Sequence, residues 1–469
     1  MRSLAFVDVA HINNVQVGAV AIGQLTIGSP DAPPHLTGSV LRSVRRVRLL
    51  DGTVADLHVA DGRIVPAGHE GPGADLDGSG WRVLPAASEP HAHLDKALTA
   101  PRTDPGAGND LVAAIEQWRA ILPTIDAADI AVRALAAVRR YVARGITTIR
   151  THVDVPLTGD PMRGVDALVA LREQLRGRVT LQVCVLAGSE APDSAVAEAV
   201  ARGVDVIGGC PHLAPDPRRE VTRMLDVAER HGLPVDLHAD EQTDVSLPDG
   251  SLDIVEIAEQ VIARGLPQRV TASHSVRLGS LPPERLEPVL ELVARAGLGI
   301  VTLPITNLYL QGRGDTHSAP RGLTAVRRIL DHGIPLAAGA DNLRDPFNPA
   351  GRADPFETTS LLMTAGHLRP LEALAAVTTG ARAVLGISPA GTVPGDAADL
   401  VLVPDGDLGD VLAGAEDARI VVSGGRVLAD TRVAHLIDLP ADAPPLLPAP
   451  NSPTPSSPAF SSLAGDRLT

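Results

Sequence analysis

With 469 residues, of which 44% are hydrophobic and only 2% aromatic, the chain has room for one large α/β domain plus an accessory unit, and its core must be built from Ala, Val, Leu and Ile. A formal charge of −15, with no basic run longer than RRVR at 45–48, argues against a nucleic-acid partner, and the scarcity of aromatics argues against a base-stacking surface. The cysteines, Cys184 and Cys210, cannot make a disulfide framework or a thiolate zinc site, and no basic leader or long apolar run appears, so a cytoplasmic protein that does not enter a membrane is expected.

Residues 1–40 read as an N-terminal extension that ends in the Pro-rich turn SPDAPPH. From 41 to 84 the alternation in VRLLDGTVADLHVADGRIV, with Asp-Gly at two turns, predicts short antiparallel strands. The same texture returns in AADLVLVP and ARIVVSGGRVLAD, so 41–84 and 386–440 are expected to share an accessory β-sandwich domain. Between them, over 85–385, apolar strand-like runs alternate with Ala/Leu/Arg/Glu-rich segments such as 131–145 and 219–232, both of which stop at glycine. The predicted strands are VLPA (83–86), TTIRTHVDV (147–155), TLQVCVLA (180–187), VDVIGGC (204–210), PVDLHAD (234–240), RVTASHS (269–275), GIVTLPIT (299–306) and PLAAGAD (335–341). Eight such units imply an α/β fold with a closed (β/α)8 TIM-type barrel. The Pro/Ser/Ala-rich residues 441–469 are expected to be a disordered tail.

In such a barrel the chemistry sits where strands end. Strand one leads to His91 and His93, strand two ends in His152 and Asp154, strand five in His238 and Glu241, strand six in His274 and strand eight in Asp341. A lone strand-end histidine is usually structural. Imidazoles and a carboxylate converging on one mouth, however, form the donor set of a divalent metal of Zn or Fe type, and His91 and His93, two apart, point to the same side. Lys96 is the chain's single lysine, placed just after this pair. Trp118, in the helical segment LVAAIEQWRAIL, reads as a packing residue, and His212, His317 and His367 receive no role.

The motifs PHAHLDK, RTHVDV, DLHADE, TASHS, NLYLQGRGDT and GADNLRDPF, in this order, resemble the cytosine deaminase branch of the amidohydrolase superfamily over roughly residues 43–438. The resemblance implies that His91, His93, His238 and Asp341 ligate one metal ion, that His274 touches its water, and that Glu241 shuttles protons to the substrate ring. Asp341 would take the proton of the water. Gln311 and Arg313 would shape the pocket mouth. By position alone, His152 and Asp154 read as supports for the ligands, and Asp95 as holding either the turn or a ligand's second nitrogen. Two-metal members of the superfamily bridge their ions with a carboxylated lysine at the end of strand four. Here that strand ends in GGCPH, so one ion, Zn or Fe, is expected.

The departures bear on substrate. Gly188 or Ser189 stands where bacterial cytosine deaminase has a pyrimidine-reading Gln, Asn342 replaces a second Asp, and Ala340 replaces a His. The HLDK motif looks like that of relatives that strip alkylamines from triazines, and Lys96 is a candidate donor to a substrate carbonyl, with Gly188, Gln311 and Asn342 as further substrate contacts. The expected function is hydrolytic deamination of cytosine or a related N-heterocycle, with ammonia released. Hydrolysis of an exocyclic alkylamine or a cyclic amide is the alternative, and a non-catalytic barrel scaffold a remote one. The expected partners are a small N-heterocyclic substrate and further copies of the chain in a homo-oligomer, with no nucleic acid and no membrane.

Overall fold

The computed structural model describes residues 35–104, 110–246, 248–314, 316–317 and 320–433. Most of the extension expected at 1–40, and all of the tail expected at 441–469, lie outside the described residues. Among the described residues no helix is long and apolar enough to cross a membrane.

The flanks form one sheet. Strands β1 (Leu41–Arg48), β2 (Val54–Ala60), β3 (Arg63–Val65), β4 (Ala74–Asp77) and β5 (Trp81–Pro85) come from the first flank. The barrel strands follow: β6 (Ala87–Ala92), β7 (Ile146–Asp154), β8 (Thr180–Ala187), β9 (Val206–Gly209), β10 (Val235–Ala239), β11 (Val270–His274), β12 (Gly299–Thr302) and β13 (Leu336–Ala338). The second flank adds β14 (Leu400–Pro404), β15 (Arg419–Ser423) and β16 (Arg426–Thr431). The flanking strands run in the order β16-β15-β14-β5-β1-β2-β3, with β4 on β1, so the two ends of the chain do pair, in a single eight-stranded sheet. Its alternation decides what each face covers. Leu400, Leu402, Ile420 and Val422 join the accessory core with Val44, Leu57 and Val83, whereas Val401, Val403 and Val421 pack into the barrel's core.

The segment VLPA corrects the expectation for strand one. Residues 83–85 lie in β5, whose Leu84 pairs antiparallel with Val401 of β14, and the first barrel strand is Ala87–Ala92. Only Ala86 separates two extended apolar segments, and pairing with distant strands assigns them to different sheets. The seventh strand is also shorter than expected, because Pro304 opens a helix, Pro304–Leu310.

The eight barrel strands follow one another in parallel from β6 to β13. A bridge between Ala92 and Asp341 joins the last strand's end to the first. The buried Glu89 stitches the same seam: its carboxylate accepts the N–H of Ala340 at 2.9 Å and that of His91 at 3.2 Å. Gly339 is required there, since a Cβ would meet Glu89 Oε1 at 2.0 Å. The helices are amphipathic covers. Ala127–Ala143 starts at Asp126, which accepts the N–H of Asp129, and buries Ile130, Ala134, Ala137, Val138 and Tyr141. Each of its larger apolar side chains contributes about 1.5–3 kcal/mol by leaving water. Pro217–His231 ends at Gly232, whose φ of 67° supplies the left-handed cap.

Candidate active site

Four buried donors converge at the C-terminal mouth of the barrel. Nε2 of His91 lies 3.1 Å from Nε2 of His238, which is 3.4 Å from Nε2 of His93. Oδ1 of Asp341 lies 3.3 Å from His93 Nε2 and 3.9 Å from His91 Nε2. A tetrahedral ion with ligands at about 2.1 Å holds its donors about 3.4 Å apart, so this spacing fits a shared cation. Burial first, and nearby positive charge second, keep His91, His93 and His238 well below the ordinary imidazole range, so they present lone pairs. Burial likewise pushes the Asp341 carboxyl well above its ordinary range, and its Oδ1 is buried without a hydrogen-bond partner. A cation would relieve that cost. His91, His152 and His238 form a second possible donor group, but it shares His91 and His238 with the four donors, so the two groups describe one site. Strand four contributes no bridging ligand: it ends in Gly208 and Gly209, and a Cβ at Gly208 would meet Cys184 Sγ at 2.7 Å.

The ligands are oriented from behind. Nδ1 of His91 donates to Ser273 Oγ at 2.9 Å, and Ser273 donates to Asp236 Oδ1 at 2.6 Å. The fully buried Arg150 donates to the other Asp236 oxygen at 2.9 Å. The relay fixes the His91 tautomer with its Nε2 lone pair facing the cluster. Register does the placing, because His238 and Ser273 are paired neighbours on β10 and β11.

Beside the donors stands Glu241. Its Oε2 lies 3.2 Å from His212 Nε2 and its Oε1 3.7 Å from His274 Nδ1. Burial pushes the Glu241 carboxyl up, but the two imidazoles outweigh it and hold the group below its ordinary range, ready to accept a proton. His274 keeps Nδ1 beside the Asn307 amide at 3.1 Å, while its Nε2 is buried and unpartnered. Asp240, His274 and Asp341 carry φ values of 51°, 71° and 68°. Left-handed backbone at non-glycine residues costs about 1–3 kcal/mol each, and here it falls at the ends of three barrel strands, two of which bring His274 and Asp341 into the cavity.

The model of the Amidohydrolase family matches residues 119–429. A pterin deaminase of Rhizobium rhizogenes is 31% identical over 392 residues, 80% of this chain and 87% of that protein. The chain belongs to the amidohydrolase family. Among solved structures, the 5-methylcytosine deaminase of Klebsiella pneumoniae liganded with 5-fluorocytosine superposes with a TM-score of 0.76 at 27% identity, covering 84% of this chain and 99% of that one. The N-isopropylammelide isopropylaminohydrolase of Burkholderia multivorans gives a TM-score of 0.70 at 30% identity, covering 83% and 98%. The chemistry of this amidohydrolase is accordingly hydrolysis of a carbon–nitrogen bond.

The amidohydrolase site opens into a cavity of about 760 Å³. His93, His238, His274, Glu241 and Asp341 line its polar floor, and Leu111, Ile115, Leu122, Leu157 and Leu213 its apolar walls. Of the expected substrate contacts, Lys96, Gly188 and Asn342 line the cavity. Gly188 has nothing within 4 Å of where a Cβ would sit, so that wall is open, and Asn342 spends its amide N–H on Asp345 at 2.8 Å. Gln311 is placed differently: it is not among the lining residues, and its amide donates to the Glu241 carbonyl at 2.7 Å, which makes it a support for Glu241. Arg313 donates to Tyr309 O at 2.6 Å and lies over its ring. Lys96 is buried, and although burial works against its charge, Asp154 and Asp95 hold the ammonium above its ordinary range.

Two site residues escape sequence reasoning. His212, left without a role, faces Glu241; its signal is its position just past the end of β9. Trp118, read as packing, lines the cavity and donates its indole N–H to Asp154 at 2.8 Å.

Proposed function

We propose that this amidohydrolase is a single-metal deaminase of aminated N-heterocycles, and that a bicyclic, pterin-type ring suits it better than cytosine. The observation that carries the reading is Glu241, 3.7 Å from His274, sharing with His93, His238 and Asp341 the floor of a cavity of about 760 Å³, far larger than one pyrimidine ring needs. The likeness to the Rhizobium pterin deaminase supports the bicyclic choice.

A divalent ion, Zn or Fe, held by His91, His93, His238 and Asp341 would supply the Lewis acidity that makes water nucleophilic near neutral pH. The protein's own groups then manage protons. The Asp341 carboxylate accepts a proton from the attacking water. His274 directs its unpartnered Nε2 to the incoming oxygen. Glu241 relays a proton to the ring nitrogen beside the attacked carbon and then to the departing amine, with His212 as its proton partner. The water oxygen ends as a ring carbonyl, the exocyclic carbon–nitrogen bond breaks, and ammonia leaves.

One observation favours a second reading. The open wall at Gly188 and the apolar sides would accommodate an alkyl group on the leaving amine, as in the Burkholderia relative's substrate. An assay of ammonia and isopropylamine release from pterin, cytosine and N-isopropylammelide, on protein loaded with Zn or Fe, separates the two. Ammonia from pterin is the expected result. Isopropylamine alone would transfer the function to the second reading, and no release by protein holding about one ion per chain would defeat both.

A further inference from the structure

On the cavity wall beside His93, four side chains form one hydrogen-bonded unit. Lys96 Nζ lies 2.7 Å from Asp154 Oδ1 and 3.3 Å from Asp95 Oδ2. Trp118 donates its indole N–H to the other Asp154 oxygen at 2.8 Å, and its ring centroid is 5.3 Å from the lysine nitrogen. The Lys96 side chain is 5% exposed and that of Asp154 25%. Lys96, Asp154 and Trp118 all line the cavity.

Packing does not require this unit, because an apolar side chain would fill the space beside Trp118 without taking an ammonium out of water, which costs several kcal/mol. The hydrogen-bond inventory shows what is left over. An ammonium has three N–H donors, and two point to Asp154 and Asp95. The remaining neighbour is His93 Nδ1 at 3.4 Å. Once His93 gives its Nε2 to an ion, Nδ1 carries the ring proton and cannot accept, so the third lysine donor is open. A carboxylate has about four lone-pair positions, of which Lys96 and Trp118 occupy two on Asp154. A free donor and a free acceptor therefore stand side by side. An arginine at 96 would close that option, since its planar fork would engage both Asp154 oxygens.

We propose that Lys96 and Asp154 together read a lactam edge of the substrate, Lys96 donating to a ring carbonyl and Asp154 accepting the adjacent ring N–H. Trp118 pins the carboxylate from the helix Leu111–Ile121. The proposal rests on the deaminase reading for the ring's position: the carbon that bears the leaving amine faces Glu241 and the metal donors, so the edge presented to Lys96 and Asp154 is a different one. It makes Asp154 a specificity residue.

Calorimetry on the metal-loaded full chain tests it with two probes that are not turned over, pteridine-2,4-dione and its N3-methyl derivative. The wild-type protein should prefer the N–H compound by at least about tenfold, because the methyl leaves Asp154 unpaired. In Asp154→Asn and Lys96→Met, with metal content and melting temperature checked, the preference should fall below about threefold. Equal binding of the two probes by the wild-type protein would overturn the proposal, and so would an unchanged preference in folded Asp154→Asn. The wild-type comparison decides even if a variant does not fold. Absence of ammonia release from any aminated ring, with the binding preference intact, would defeat the deaminase reading and leave the edge recognition standing.

Discussion

Nε2 of His212 faces Oε2 of Glu241 at 3.2 Å, while its Nδ1 lies 2.9 Å from the carbonyl oxygen of His238. Nδ1 thus has a carbonyl acceptor and Nε2 stands within ion-pair distance of a carboxylate, an arrangement that suits the imidazolium, which carries a proton on both nitrogens. Burial opposes that charge, yet Glu241 outweighs it and raises the His212 pKa above the ordinary value. His212→Phe should therefore lower kcat by about 10²-fold through loss of the proton partner, without loss of metal. Steady-state kinetics with metal analysis on the same preparation checks this, and unchanged kcat would remove His212 from the proton path.

Glu241→Gln should reduce turnover by at least about 10³-fold and retain the metal, because the amide keeps the shape and cannot carry the proton. Loss of the ion in this variant would mean that Glu241 is a ligand and not the shuttle.

The relay behind His91 predicts a metal phenotype for a residue that touches no ion. Ser273→Ala removes the acceptor of His91 Nδ1 and leaves Asp236 short of one donor. Metal affinity should fall by about 10–100-fold, measured by competition with a chromogenic chelator.

At the barrel seam, Gly339→Ala would drive a methyl into Glu89 Oε1, 2.0 Å from the new Cβ. Relief requires moving the carboxylate off the N–H groups of Ala340 and His91. A loss of about 1–3 kcal/mol is expected, read as a lower urea midpoint. An unchanged midpoint would show that the seam has slack.

The reciprocal pair Asp240 and Asp253 sets a pH dependence. Asp253 accepts the N–H of Asp240 at 2.9 Å, and Asp240 accepts that of Asp253 at 3.1 Å. Burial, then the neighbouring Asp240 charge, pushes Asp253 up to about 7 despite His212 and Arg277 nearby. A carboxyl raised on folding binds its proton more tightly in the folded state, so its stabilising contribution is complete below the unfolded pKa of about 3.9 and is lost as pH rises through about 7. Asp253→Asn should consequently raise the melting temperature by about 2–4 °C at pH 8.5 and by little near pH 4. The same gain at both pH values would show that the Asp253 charge is not the cause.

Much of the site is legible in local pattern. His91-x-His93, DLHADE and TASHS stand at the ends of apolar strand-like runs, and strand periodicity suffices to put them at the mouth. VLPA is not legible, because two adjoining extended segments look alike and only pairing with Val401, far along the chain, places Leu84 in the accessory sheet. Trp118 fails for a related reason: an apolar helix stripe predicts packing, and its indole N–H acquires its role only where Asp154 comes within 2.8 Å. Gln311 lies within the motif NLYLQGRGDT, yet its amide turns to the Glu241 carbonyl.

The barrel class, the order of the histidines along it, and the lack of a Lys or Glu at the end of strand four are written in the sequence. Those properties follow from residue type and from short-range periodicity, which a linear chain carries in full. Which lone pairs meet is set by tertiary structure: His91 Nε2 comes within 3.1 Å of His238 Nε2 and 3.9 Å of Asp341 Oδ1 only after eight strands close, and Lys96 gains its two carboxylates only then. Coordination and hydrogen bonding depend on distances of a few ångströms between residues remote in sequence, and closure of the barrel is what sets those distances.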